Sequence, residues 1–162
     1  MITKIKHIWS VLCKESVINQ DNNLIYIQGT LEELKVSLKP IKVGSGKLPE
    51  KINVPINYEI VSLWFKENRN EVGKAQIEYS LISPEGKELV KNIQDMEIPV
   101  NIRRFRSRLK ISGLPVTKEG DYSFRVKIKE AGSQAFRLVS ELPLEVKIKI
   151  EPPIEPTKNT AN

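Results

Sequence analysis

Apolar and polar residues alternate with a period of two along most of this chain, and that alternation limits what it can fold into. In a strand, successive side chains point to opposite faces, so alternate apolar residues build one buried face. Phe105, Ser107, Leu109 and Ile111 share one parity, against Arg104, Arg106, Arg108 and Lys110 on the other. Tyr122, Phe124, Val126 and Ile128 alternate with Ser123, Arg125, Lys127 and Lys129. Leu144, Val146, Ile148 and Ile150 alternate with Glu145, Lys147 and Lys149, and Ala75, Ile77, Tyr79 and Leu81 repeat the pattern upstream. Near the N-terminus Ile5, His7, Trp9, Val11 and Cys13 share a parity. Asp21-Asn22-Asn23 is turn chemistry, and Leu24–Ile27 reads as the returning strand of an N-terminal hairpin, with Gly29 marking a bulge.

Between these segments the pattern is mixed. Ile56–Phe65 is the most apolar run and reads as a central strand with a bulge near Ile60. Thr30-Leu31-Glu32-Glu33 matches a helix capping box, but Leu34, Val36 and Leu38 alternate and Pro40 follows, which favours a strand. Residues 39–55 form a loop punctuated by prolines and glycines. After the turn Ser83-Pro84-Glu85-Gly86-Lys87, residues 88–92 read as a return strand, while Leu89, Val90, Ile93 and Met96 also suit a short helix. About eight to ten short strands with turns between them predict an all-β, antiparallel two-sheet sandwich, because one sheet alone would leave an apolar face wet. Its span is 1–150 as a single domain, with 151–162 as a Pro-rich flexible tail.

Leu109-Lys110-Ile111-Ser112-Gly113-Leu114-Pro115, followed by Glu119-Gly120-Asp121-Tyr122-Ser123-Phe124-Arg125-Val126, resembles the corner before the sixth strand of immunoglobulin-like sandwiches. Tyr79 to Lys87 resembles the preceding hairpin in bacterial modules of that kind. The resemblance spans roughly residues 54–150 and implies that Tyr122 is the corner tyrosine, its hydroxyl bonded to backbone a few residues upstream. The two-cysteine bridge of antibody domains is missing. The first hairpin, Trp9–Cys13 with Leu24–Gly29, is similar to one in an uncharacterised family of bacterial and phage β-sandwich proteins. Neither resemblance implies an activity.

The chemistry-bearing residues are sparse. The one histidine, His7, and the one cysteine, Cys13, fall on one parity, six residues apart. At ~3.3 Å per residue that is about 20 Å, too far for a thiolate–imidazole pair. A zinc site normally needs four ligands, and calcium loops gather several carboxylates, whereas Asp21, Asp95 and Asp121 stand far apart in the chain. Gly44-Ser45-Gly46-Lys47 lacks the glycine four residues upstream and the helix that a phosphate loop requires. The expectation is a non-enzyme with no cofactor. A lone cysteine fits a reducing compartment, and no apolar run approaches a membrane span, so the chain reads as cytoplasmic.

Charge is the remaining signal. Residues 1–100 carry 13 basic and 13 acidic side chains, and residues 101–162 carry 13 and 7, so the last third holds the whole net charge of +6. Its sharpest feature is the Arg104, Arg106, Arg108, Lys110 ladder, a candidate contact for an anionic partner, with positions ~6.6 Å apart along one strand face. Arg125, Lys127, Lys129, Lys147 and Lys149 form a second basic set, expected on the opposite sheet. Outward aromatics for base stacking are missing from both sets. The leading expectation is a contact module with a protein partner. The alternative is a nucleic-acid-associated protein using the basic third.

Overall fold

The computed structural model describes residues 3–39 and 50–152. The Gly44–Lys47 segment and all but two residues of the expected tail lie outside them. The described residues form nine strands and no helix. They are β1 (Ile5–Ile18), β2 (Ile25–Thr30), β3 (Glu33–Leu38), β4 (Ile52–Lys66), β5 (Gly73–Ile82), β6 (Glu88–Ile98), β7 (Arg104–Val116), β8 (Gly120–Glu130) and β9 (Arg137–Ile150). One sheet runs β2-β1-β4-β7 and the other β3-β9-β8-β5-β6, and the two pack face to face. Both ambiguous segments, 33–38 and 88–98, are strands, because each finds a partner strand that local pattern does not reveal.

The core lies between the sheets. Tyr58, Ile60 and Trp64 of β4 and Leu109 and Leu114 of β7 meet Ile77, Tyr79 and Leu81 of β5 and Tyr122, Phe124, Val126 and Ile128 of β8. Each buried Leu, Ile or Phe contributes about 1.5–3 kcal/mol, so this interior dominates stability. Its polar atoms are largely paired. Trp64 Nε1 donates to Ser107 Oγ at 2.8 Å, and the Tyr79 hydroxyl lies 3.3 Å from that oxygen. Lys66 is fully buried, and its ammonium donates to the main-chain carbonyls of Glu71, Pro99 (2.6 Å) and Ile98 (3.5 Å). Gly73 lets the chain pass close over that lysine, since a Cβ there would stand 3.0 Å from Lys66 Cδ.

Three expectations need correction. The sandwich is not wholly antiparallel: β3 pairs parallel with β9. Leu31 and Glu32 carry the chain from one sheet to the other without a reversal, and alternation alone cannot tell the two pairings apart. The β4 irregularity lies between Val54 and Asn57 rather than near Ile60, opposite Gly113, whose φ of 82° and contact with Asn53 suit glycine alone. Finally, His7 and Cys13 do not share a face. The β1 register shifts between His7 and Trp9, with Ile8 exposed, and one extra residue reverses parity beyond it. His7 therefore points inward with Ser10, its Nε2 2.7 Å from Ser10 Oγ and its ring edge-on to Trp64. Cys13 is fully buried on the outer side, apart from the core between the sheets.

Candidate interaction surface

The ladder stands on β7, the last strand of its sheet. Inward, Phe105, Ser107 and Leu109 face the core. Outward, Arg104, Arg106, Arg108 and Lys110 lie opposite Phe65, Leu63, Val61 and Glu59 of β4. The alternation was sufficient to place these side chains, but not to show what covers them.

The cover is the N-terminal hairpin. Residues 5–13 of β1 pair with β4 and residues 13–18 pair with β2, so Cys13 is the branch point. Beyond it the hairpin folds back across the outer face of β4 and β7. Ser16 Oγ donates to Glu59 Oε2 at 2.5 Å, and Arg108 Nη1 donates to the Ser16 carbonyl at 3.3 Å. Arg106 grips the hairpin turn with both nitrogens, Nη1 to Asn23 Oδ1 at 3.2 Å and Nη2 to the Asn23 carbonyl at 2.9 Å. Lys110 Nζ stands 4.0 Å from Glu59. Two rungs of the ladder thus hold the hairpin, a third faces a carboxylate, and only Arg104 has no side-chain hydrogen bond or ion pair among the described residues.

Glu59 is the residue that sequence reasoning missed. It is 5% exposed, a carboxylate under the hairpin beside the Cys13 thiol, whose pKa burial and this charge push upward. The signal was present, since Glu59 interrupts the most apolar run of the chain. The second basic set lies in the other sheet and is mostly spent on neighbours. Lys127 pairs with Glu78 at 3.0 Å, Arg125 with Glu141 at 2.8 Å and Lys147 with Glu33 at 2.9 Å, while Lys129 lies over the Phe136 ring. An aromatic does stand beside the ladder, contrary to expectation. Phe65 lies opposite Arg104, but the Arg103 guanidinium caps its ring at 4.6 Å.

Tyr122 sits just inside β8 with its ring buried, 1% exposed. Its hydroxyl accepts from the amides of Thr117 (2.9 Å) and Lys118 (3.1 Å) and donates to the Lys118 carbonyl (2.8 Å).

A cleft of about 570 Å³ opens between the sheets along β7. Its floor is apolar: Tyr58, Tyr79, Leu81, Leu109, Ile111 and Phe124. It arises from a mismatch in width. With β2 folded outward in the hairpin, three strands face the five of the other sheet, and β6 is left without a strand opposite, with Val90 41% exposed. No three His, Cys, Asp or Glu side chains gather to hold a metal among the described residues, and no helix there is long and apolar enough to cross a membrane.

Fold and site together define an all-β, two-sheet sandwich with one basic edge strand over an apolar cleft. The chain belongs to a family of unknown function, DUF6941, whose model matches residues 8–146. Among curated proteins none matches it. Among solved structures it is similar to the C-terminal domain of wzt, with 11% identity over 88% of this chain and 73% of that one and a TM-score of 0.48. It is also similar to Northeast Structural Genomics Consortium target SoR45, with 10% identity over 59% of this chain and 81% of that one and a TM-score of 0.35.

Proposed function

We propose that this chain is a non-catalytic β-sandwich that works by contact, as an interaction or structural module of a larger assembly. The observation that carries the reading is β7: an edge strand whose outer row is basic and whose inner row borders an open apolar cleft. Edge strands are ordinarily shielded, because their unpaired N–H and C=O groups recruit other chains. The non-catalytic part is supported by the histidine and the cysteine lying on opposite faces of β1, the thiol with a raised pKa. An immunoglobulin-like relationship of β4–β9 is supported by the Tyr122 corner and by β4 pairing with β7 while β5, β8 and β9 adjoin. A cytoplasmic setting is supported by the single unpaired thiol. Purification of the tagged protein from its own source, with and without nuclease, tests the reading. A stoichiometric protein that survives nuclease is expected.

Association with nucleic acid is the second reading, favoured by the exposed Arg104 next to Arg103. With Arg106 and Arg108 held by the hairpin, two phosphate contacts remain, and log K against log salt should slope at about −1.4 to −1.8. Absence of binding at ~50 mM salt, where such contacts are strongest, removes it.

A further inference from the structure

We propose that the free edge of β7 takes an extended segment of an acidic partner protein as an added strand. The segment's apolar side chains would fill the cleft and its acidic ones would lie level with Arg104 and Lys110. The inference rests on the contact-module reading and names the partner's chemistry.

Three observations converge on it. The β7 edge is unpaired among the described residues over Arg104–Val116, long enough for a full strand. A strand added ~4.8 Å beyond it lies directly over the cleft, where one sheet has run out of strands and the other has not. Every second side chain of such a strand points inward, toward the apolar lining of Leu81, Leu109 and Ile111. The other side chains stand outward, ~5 Å from their cross-strand neighbours on β7. Those neighbours are cations, so carboxylates are favoured there and cations rejected. Charge also argues against a second copy of this chain as occupant. An antiparallel β7–β7 pair would set arginines and Lys110 against each other. Main-chain hydrogen bonds would give the affinity and the alternating side chains the specificity, as in other strand-addition complexes.

The test uses the full chain at ~50 mM salt. The probes are a ten-residue peptide alternating Glu with Val, its Lys-for-Glu counterpart, and a version with N-methyl groups on alternate amides. Amide exchange followed by NMR locates the contact. The expected result is saturable binding of the Glu peptide with slowed exchange in β7, and none with the N-methylated peptide. Arg104→Glu with Lys110→Glu, both exposed positions, should weaken the Glu peptide by about tenfold and favour the Lys peptide. Retained thermal unfolding of the variant shows that the fold is intact. Equal binding of both peptides, protection on β6 or β2 instead, a dimer of this chain blocking β7, an oligonucleotide that displaces the peptide without protecting β7, or no binding at millimolar peptide would each overturn the proposal. If the native assembly forms while β7 amides stay fast, this inference fails and the contact-module reading stands.

Discussion

At the scale of single residues, the structure turns sequence patterns into definite energies. Tyr122 is placed to satisfy three main-chain groups with one hydroxyl. One hydrogen bond is worth about 0.5–1.5 kcal/mol net, but removing this oxygen strands two amides, so Tyr122→Phe should cost about 1–3 kcal/mol in urea unfolding. Lys66→Met should be costlier than a surface change. It takes the ammonium from three carbonyls around a buried site, of which that of Pro99 keeps the Ile102 amide at 3.3 Å, at about 1–3 kcal/mol for each left unpaired. His7 carries a pH signature. Burial lowers its pKa below the ordinary value of 6.5, so the unfolded chain takes up a proton first as pH falls. Stability contributed by neutral His7 is therefore present above about pH 6.5 and is lost below it, until the folded protein protonates too. His7→Gln should flatten that slope in unfolding curves across the window. Cys13, buried with a raised pKa, should react with thiol reagents only as fast as the hairpin opens.

At the scale of elements, the hairpin is the part most dependent on the ladder. Replacing Arg106 and Arg108 by serine removes the three guanidinium bonds to Asn23 and Ser16 while leaving the core untouched. Amides of Asn19–Leu24 should then exchange about tenfold faster, with little change in global unfolding. An unchanged hairpin would mean the aliphatic contacts of β1 and β2 hold it unaided. This element also marks where sequence stops being legible. The inward and outward rows of β5, β7 and β8 could be read directly, because strand parity is a local property. The His7–Trp9 bulge could not, since it depends on how β1 registers with β4, some fifty residues away. The same holds for the parallel β3–β9 pairing, the burial of Glu59 and the ion pairs that neutralise the second basic set. Each depends on which strand becomes whose neighbour. The ladder residues were legible as a row, but their attachment to the hairpin was not.

At the scale of the whole molecule, two sheets of unequal covering width leave one side open, and the open side carries the basic edge. Elsewhere, the outer face of β8 and β9 is laced with ion pairs, and the hairpin crosses the outer face of β4. A protein that works by contact through β7 should therefore show a particular asymmetry in hydrogen exchange. In the isolated protein, alternate β7 amides, those turned from β4, should exchange at rates near those of exposed loops, while core amides of β8 stay protected. The most direct measurement is the same exchange profile on the protein recovered within its native assembly. Slowed exchange along β7, with β2 and β6 unchanged, is the predicted result. A β7 edge that exchanges equally fast in the assembly and in isolation would contradict the account.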